Sequence, residues 1–516
     1  MKGTCLLFAL IIFCTQISAQ EFYNVLRYGA KNDSSKPATK AISAAIEAAA
    51  KKGGGTVYFP AGKYLTGPIH LKSNITIFID AGAELHFSDN FDDYLPMVES
   101  RYEGVDLKSF SPLFYAYKAE NISIIGRGLI NGHGKRWWDY VLSFKEGPAR
   151  NKYQRMFDIL NRDILLPDDP AQMKKGFLRP PFIQLMYCRN VLVQGITIVN
   201  SPFWTVNPEF CENVTVDGVT INNPRSPNTD GINPESCRYV HISNCHISVG
   251  DDCITIKSGK DRPGRAKAAP AENYTITNCT MLSGHGGVVI GSEMSGGVRK
   301  ITISNCVFDG TDRGIRIKTA RGRGGVVEEI RVDNIIMKNI RQQAIVLDMA
   351  YARTEPEPVS ERTPGFRNIH FSNITAQTDE AININGLAEM PVDDISFTDI
   401  QFDAQRGATI REASHIEFHN VRINTKEGSS LVAENVKGIV IDALQTMTPH
   451  ASAPTISVNN VQDVFIYNCN VDQPTPVFLQ VRGKRSRNIV FGSNNLSNAQ
   501  KTVVKEDDVT AEIKID

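Results

Sequence analysis

The chain has 516 residues, and its 56 Lys and Arg are balanced by 56 Asp and Glu. This length allows one very long domain or several ordinary ones, and the charge balance excludes bulk attraction to nucleic acid as a binding mode. Ten cysteines are too few for a disulfide scaffold, and no C-x-x-C pair indicates a zinc site.

The first predicted element is a secretory signal peptide, residues 1–19. Lys2 precedes an apolar run from Cys5 to Cys14, and small residues come before the expected cleavage site. The run is too short to span a bilayer. The sequence therefore predicts an exported protein, periplasmic or secreted, with no membrane span and a mature chain of residues 20–516.

An amphipathic helix is predicted next. Lys51 and Lys52 suit its last turn, and Gly53 ends it. Its apolar residues recur at helical spacing, and they are Ile42, Ala45, Ile46 and Ala49. Because a solenoid needs its open end covered, we expect this helix to cap the repeats that follow.

One eight-residue pattern then recurs along most of the chain. In VLVQGITI, Val191 to Ile198, alternating apolar residues are interrupted by a glycine and then alternate again. With Gly, Asn or Asp at the interruption, the pattern returns at Val214, Val240, Tyr274, Ile301, Ile330, Ile369, Ile395, Ile416 and Val464, and more loosely at Ile439 and Ile489. Alternation with period two indicates strands, and such regular self-similarity indicates a solenoid.

These repeats predict an all-β fold, a single-stranded right-handed parallel β-helix with coils about 4.8 Å apart. Weaker strand patterns at Ile75 and Ile122 suggest that coils begin early, so residues 20–516 are predicted to form one domain. Two stretches do not fit the coils, Gly132 to Lys175 and Tyr351 to Gly365, and we interpret them as insertions on the working face. Four cysteines share one repeat position and are expected to form a buried stack: Cys245, Cys279, Cys306 and Cys469.

Polar residues capable of chemistry interrupt four consecutive coils. Asp230 lies in NTDG, Asp251 and Asp252 in GDDC, and His285 in GHG. Arg316 and Lys318 follow in RIK, where they alternate with isoleucines and share one side of a strand. Since each spacing is about one coil, we expect these side chains to form one vertical patch.

Three crowded carboxylates repel one another and raise at least one pKa. Glycosidic bond cleavage needs such a set, because one carboxyl protonates the leaving oxygen while another activates water. The two strand cations Arg316 and Lys318 favour an anionic sugar, a uronic acid, over a neutral one. The sequence therefore predicts a hydrolase acting on an acidic polysaccharide.

NTDG, GDDC, GHG and RIK, in this order and at these distances, resemble the four signatures of the polygalacturonases, family 28 of the glycoside hydrolases. The resemblance covers essentially the whole mature chain. It implies hydrolysis of α-1,4-linked galacturonate with inversion at the anomeric carbon, without a metal or other cofactor. The expected partner is a polygalacturonate chain or oligogalacturonide, with the protein acting as a monomer.

The resemblance also implies roles for individual residues. Asp251 resembles the general acid, Asp230 and Asp252 resemble the pair that deprotonates water, and His285 resembles the histidine that sustains the acid. The implied substrate-binding residues are Asn228, Arg316, Lys318 and Tyr351. Lys257 is a further candidate because its charge lies just after the aspartates. Fungal members often pair the GDDC cysteine with another about sixteen residues on, but position 269 is Ala here, so Cys253 is expected to be unpaired.

Three alternatives stay open. A rhamnogalacturonan hydrolase and a calcium-dependent pectate lyase share the β-helix, and a non-catalytic glycan-binding β-helix belongs to a different functional class. Within the hydrolase hypothesis, the two insertions are long enough to wall off one end of a groove, and IGSEMSGGV, Ile290 to Val298, resembles bacterial exo-acting members. Both features favour exo action.

Overall fold

The structure is a computed structural model that describes residues 22–515 apart from 144–149, 176–177, 225, 353–354, 449, 451, 507–508 and 510–512. The predicted signal peptide lies outside the described residues. No helix within the described ranges is long and apolar enough to cross a membrane.

The chain winds into a right-handed parallel β-helix, which confirms the predicted fold class. Each regular coil contributes a strand to three faces. The first face carries the first half of the sequence repeat. Its strands are Phe22–Asn24, Gly55–Phe59, Ile75–Ile79, Glu120–Gly126, Arg189–Gln194, Glu212–Asp217, Arg238–Ser243, Ala271–Thr277, Gln462–Tyr467, Arg487–Gly492 and Ile513–Ile515.

The second face carries the second half of the repeat. Its strands are Gly62–Thr66, Ala83–Phe87, Leu129–Asn131, Thr197–Val199, Thr220–Asn222, His246–Ser248, Thr280–Ser283, Gln445–Thr446 and Asn470–Val471. Longer strands bend around the corners and serve more than one face: Val298–Asp309, Val326–Asp348, Gly365–Asn385 and Val392–Asp442.

The third face, called here the site face, was not visible as a sequence repeat because its strands in the central coils are short and buried on both sides. Its strands are Ile69–His70, Phe114–Tyr117, Ile183–Met186, Val206–Glu209, Ile254–Ile256, Val288–Gly291, Ile315–Lys318, Ile456–Asn459, Thr475–Arg482 and Ala499–Lys505. Between the fourth and fifth of these, Ile232 bridges Ile254, which pairs with Val288, which pairs with Ile315. Successive coils therefore stack in register.

The interrupting residue of each repeat turns the corner between the first and second faces. Gly195, Gly218, Asn244 and Asn305 all have φ between 55° and 76°, in the left-handed region. Glycine and asparagine tolerate this conformation better than other residues. This is why the alternation breaks once in every coil.

Apolar side chains of all three faces meet in one core along the axis. The predicted cysteine stack lies there, since Cys245, Cys279, Cys306 and Cys469 are all buried. A second buried set, Cys188, Cys211 and Cys237, occupies successive coils and was not predicted. Every cysteine that the structure describes is free, Cys253 included.

Helix α1, Thr39–Lys51, covers the first coils as predicted. Its buried residues include the predicted Ile42, Ala45, Ile46 and Ala49. Helices α2, α3 and α4 lie within the predicted insertion, at Lys135–Ser143, Lys152–Leu160 and Ala171–Lys175. Helix α5, Asp261–Lys267, follows a site-face strand, and the 3-10 turns are Val25–Tyr28 and Phe91–Tyr94.

An antiparallel hairpin was not predicted. Its strands, Val98–Tyr102 and Val105–Ser109, pair with each other and join no coil. Its apolar residues pack with α3 and α4 in a second hydrophobic cluster separate from the main core: Tyr102, Val105, Leu107, Phe157, Met173, Leu178, Phe203 and Trp204.

Candidate active site

Three aspartates meet where two neighbouring coils enter the site face. Asp230 precedes the bridging residue Ile232, while Asp251 and Asp252 precede the strand Ile254–Ile256. One carboxylate oxygen from each aspartate lies within 4.8 Å of one from each of the others. The structure thus brings together the three carboxylates that the sequence predicted to be close.

Asp230 is buried at the bottom of this cluster. Its Oδ2 accepts hydrogen bonds from Asn233 Nδ2 at 3.0 Å and from Thr255 Oγ1 at 3.3 Å. Its Oδ1 has no hydrogen-bond partner among the described residues, and neither has Oδ1 of Asp252. Each of these two carboxylates therefore keeps one oxygen free to accept a hydrogen bond from a water or a ligand.

Asp251 is the most exposed of the three, with 19% of its side chain accessible. Its Oδ1 accepts the backbone N–H of Asp252 at 2.9 Å and lies 3.1 Å from Nδ1 of His285 on the next coil. Gly284 permits this approach, because a Cβ there would lie 2.5 Å from the carbonyl oxygen of Asp251. His285 is thereby held beside Asp251.

Asp252 faces the two predicted cations. Lys318 Nζ donates to its Oδ2 at 2.9 Å, and Arg316 NH1 lies 3.9 Å from its Oδ1. Both cations lie under the ring of Tyr351, at 5.4 Å and 5.3 Å from the ring centroid. Tyr351 is about half exposed, so an aromatic surface adjoins the cations.

The crowding shifts the protonation of the cluster. Burial and the charges of Asp251 and Asp252 raise the pKa of Asp230 well above its ordinary value. Burial acts to raise the pKa of Asp251 as well, but the hydrogen bond and charge of His285 outweigh it, and the pKa is lowered. The same hydrogen bond raises the pKa of His285. The shifts therefore favour the protonated forms of Asp230 and His285 and the carboxylate form of Asp251.

Asn228 lies beside the cluster in a left-handed conformation with φ of 54°. Its Oδ1 accepts a hydrogen bond of 2.6 Å from Arg179, whose guanidinium is buried and lies over the ring of Phe203. Arg179 fixes the amide so that its Nδ2 remains available. The sequence analysis did not identify Arg179, which belongs to no repeat.

Lys257, predicted to contact substrate, is almost fully buried. Its Nζ donates to Glu293 at 2.7 Å and lies 4.6 Å from the ring centroid of Trp204. The charge of Lys257 lowers the pKa of Glu293, against the effect of burial. Sequence analysis missed Trp204 and the role of Glu293, although Glu293 lies in the quoted stretch Ile290 to Val298.

The unpredicted hairpin fills the site face on one side of the cluster. Ser100 Oγ donates to Gln184 at 2.8 Å, and Arg101 Nε donates to Glu235 at 2.7 Å. The tip then meets Lys260, on the coil that carries Asp251 and Asp252, through an ion pair of 3.5 Å with Glu103. From Ser100 to Glu103 the hairpin thus contacts the coils of Gln184, Glu235 and Lys260 in turn, so it runs along the site face as far as the coil of Asp251 and Asp252.

Beneath the hairpin lies a buried charged cluster that the sequence did not reveal. Glu209 and Glu235 occupy neighbouring coils in register, and both are fully buried beside Arg101. Burial and the charge of Glu235 raise the pKa of Glu209 well above its ordinary value. The shift favours a neutral Glu209, while Arg101 pairs with both Glu235 and Asp106.

The two predicted insertions meet each other beside the same groove. Asp168 of the first accepts a hydrogen bond of 3.0 Å from Arg362 of the second, and its backbone N–H donates to Asp261 in helix α5. Arg323, close after Lys318, forms an ion pair with Asp261. These contacts place both insertions beside helix α5 and the loop after Lys318.

Comparisons with known proteins agree with this geometry. A family model described as glycosyl hydrolases family 28 matches residues 168–425, and one described as rhamnogalacturonase A/epimerase, pectate lyase-like, matches residues 22–137. The chain is 34% identical to a hyperthermoactive exopolygalacturonase from Thermotoga maritima in a solved structure. That likeness covers 78% of this chain and 91% of the other, with a TM-score of 0.68.

Two relatives by sequence carry related descriptions. The chain is 32% identical over 329 residues to a probable polygalacturonase of Vitis vinifera, and the aligned region covers 62% of this chain. It spans only 61% of that relative's length. It is also 27% identical over 473 residues to the exo-poly-alpha-D-galacturonosidase of Dickeya chrysanthemi, covering 84% of this chain and 76% of the relative.

Proposed function

The chain belongs to glycosyl hydrolases family 28, and from this premise we propose that it hydrolyses α-1,4-galacturonosyl linkages of polygalacturonate, with inversion, from one end of the polymer. The observation that carries the proposal is the cluster of three carboxylates with oxygens within 4.8 Å, flanked by an imidazole and two cations.

In this proposal Asp251 is the general acid. Asp251 is the most accessible of the three carboxylates. The raised pKa of the neighbouring His285 favours the protonated imidazole. The imidazolium holds the proton in the free protein, and the hydrogen bond of 3.1 Å gives it a direct path to Asp251. Asp251 then passes the proton to the leaving oxygen as the linkage breaks.

Asp230 and Asp252 form the water-activating pair. Each has one buried oxygen without a partner among the described residues, and a water that bonds two carboxylates at about 2.7 Å can bridge oxygens up to about 5.4 Å apart. Lys318 and Arg316 hold Asp252 in place. Asp252 abstracts a proton from the water as it attacks the anomeric carbon, and Asp230, whose raised pKa favours its protonated form, positions that water.

Carboxylate spacing alone argues for a different stereochemistry. Inverting enzymes usually separate their two carboxyl groups by about 6.5–9.5 Å and retaining ones by about 5–5.5 Å. The separation here is nearer the retaining value. We propose inversion because three carboxylates are present, so that two can hold the water while the third acts as acid.

Arg316, Lys318, Tyr351 and Asn228 are the proposed substrate contacts. The two cations suit the carboxylate of a uronate, and the half-exposed Tyr351 ring suits the apolar face of a sugar. Lys257 is proposed to act without contacting the substrate, because its ammonium is already bound to Glu293. Its positive charge acts to lower the pKa of Asp230.

Exo action is proposed from the hairpin. A polymer that crosses the cluster must continue along the site face in both directions, and on one side the hairpin occupies that path up to Lys260. A chain can then enter only by its end. The insertions add a rim around the entrance.

We also propose that residues 1–19 direct export to the periplasm or beyond, since a lysine followed by an apolar run is the pattern of a secretory signal. The mature chain, residues 20–516, is proposed to act as a monomeric single domain.

A time course of product release from polygalacturonate tests the proposal. Monomer or dimer alone from the first time point is expected, with no activity on rhamnogalacturonan. A ladder of oligomers would contradict exo action, and the absence of any new reducing ends would contradict the hydrolase assignment.

A further inference from the structure

The ion pair at the tip of the hairpin is more exposed to solvent than the ion pair in its stem. In the stem, Arg101 and Glu235 are paired and closed to solvent, with side chains 1% and 0% exposed. At the tip, Glu103 and Lys260 keep 15% and 12% of their side chains exposed. The stem pair anchors the hairpin, whereas the tip pair keeps part of its surface accessible.

The turn that carries Glu103 is tight. Gly104 has φ of 82°, and a Cβ there would lie 2.6 Å from the backbone nitrogen of Lys260, so the tip abuts the loop directly. Glu103 itself has φ of 45°. Glutamate is poorly suited to this left-handed conformation, which asparagine adopts far more readily.

Asparagine is in fact the usual choice elsewhere in this chain. Of 38 described non-glycine residues with positive φ, 19 are Asn. Glu329 and Glu412 share the left-handed conformation, so the conformation alone does not single out Glu103. Glu103 is distinguished by its ion pair with Lys260 at the hairpin tip.

The tip also lies within electrostatic reach of the catalytic residues. Lys257 acts on the charge of Glu103 and on that of Asp230. Glu103 pairs with Lys260 and Glu293 pairs with Lys257, one acid to each cation. Burial raises the pKa of Glu103, while the charge of Lys260 acts to lower it. On the Arg316 and Lys318 side, by contrast, two cations face one carboxylate.

We propose, on the basis of the proposed exo function, that Glu103 and Lys260 bind the hydroxyl groups of the terminal sugar and so make the enzyme specific for a chain end. A carboxylate accepts and an ammonium donates, and groups 3.5 Å apart match the acceptor and donor needs of neighbouring sugar hydroxyls. A sugar that carried a further linkage at this position would meet the hairpin instead.

Three trimers of galacturonate test the assignment: the intact trimer, one with an unsaturated terminal residue that lacks a hydroxyl, and one with the opposite end reduced to an alditol. The wild-type protein is expected to discriminate against one end-modified trimer. In Glu103→Gln and Lys260→Met, kcat/KM on the intact trimer is expected to fall about 10- to 100-fold, as for loss of a charged hydrogen bond. The discrimination is expected to fall toward unity.

Glu99→Gln is the matched control, because Glu99 lies on the same hairpin and pairs with Lys108 on its exposed side. It should keep both the wild-type rate and the wild-type discrimination. The proposal is overturned if Glu103→Gln and Lys260→Met keep the wild-type ratio between trimers, or lose activity equally on all three. Failure of the wild-type protein to cleave the intact trimer would instead count against the proposed function.

Discussion

Arg101 and Glu235 lie 134 residues apart in the chain and form a fully buried ion pair, with Nε and NH2 of the arginine 2.7 Å and 2.6 Å from the same carboxylate oxygen. This pair fastens the hairpin into the groove. Glu209 lies against it on the neighbouring coil. Arg101 is therefore one of the residues that hold the hairpin over the site face.

Arg101→Met is expected to destabilise the protein and open the groove. Removing one partner of a buried pair leaves the other charge uncompensated, which costs about 3–5 kcal/mol of unfolding free energy. Denaturant unfolding measures this loss, and product analysis on a hexamer should show oligomers beside monomer. Lys108→Met is the control, since its pair with Glu99 is exposed and contributes about 0–1 kcal/mol. Equal stability of the two variants would contradict the anchoring role.

Asp251→Asn should remove turnover while leaving substrate binding intact. Loss of a positioned general acid is expected to lower kcat by about 10² to 10⁴, with little change in the affinity for a trimer measured by calorimetry. Asp309→Asn, an exposed site bonded to Asn339, serves as control. Unchanged turnover in Asp251→Asn would show that another group donates the proton.

We expect kcat/KM to fall as the pH rises above about 6.5, the ordinary pKa of histidine. Since the bond to Asp251 raises the pKa of His285, its protonated form is fully present below about 6.5 and is lost as pH rises through the raised value. A plot of kcat/KM against pH is expected to show this basic limb. In His285→Gln the limb should disappear and the rate should drop about 10- to 100-fold; a limb that stays in place assigns the titration elsewhere.

The first product released should be the β-anomer. Inversion of an α-linkage requires this outcome, whereas a covalent intermediate on Asp230 or Asp252 would give the α-anomer. Proton NMR of the fresh product, recorded before mutarotation, separates the two. An α-product would mean that the short carboxylate spacing reflects a retaining mechanism.

Chelation should leave the activity unchanged. The three aspartates offer oxygens close enough for a divalent cation, but the proposed hydrolysis uses Lys318, Arg316 and His285 to balance their charge. EDTA at millimolar concentration is expected to have no effect, and the products should lack the ultraviolet absorbance of unsaturated uronides. Loss of activity that calcium restores, with absorbing products, would instead indicate a lyase.

The sequence by itself determined the coil and the order of the site motifs. Alternation and the interrupting glycine or asparagine are local properties, and they predicted the first and second faces because each corner needs a left-handed residue. In-register stacking then carried Asp252 and Lys318, 66 residues apart, to within 2.9 Å of each other. In a regular solenoid, residues one repeat apart in the sequence lie one coil apart along the axis.

Only the tertiary structure decided how far the groove extends and where its protons lie. The hairpin has no repeat pattern, and its position depends on contacts with Gln184, Glu235 and Lys260, which lie 84 to 157 residues beyond their hairpin partners. Burial then raised the pKa of Asp230 while the adjacent His285 lowered that of Asp251. Desolvation and charge proximity are properties of packed neighbours in space, and a linear pattern does not encode them.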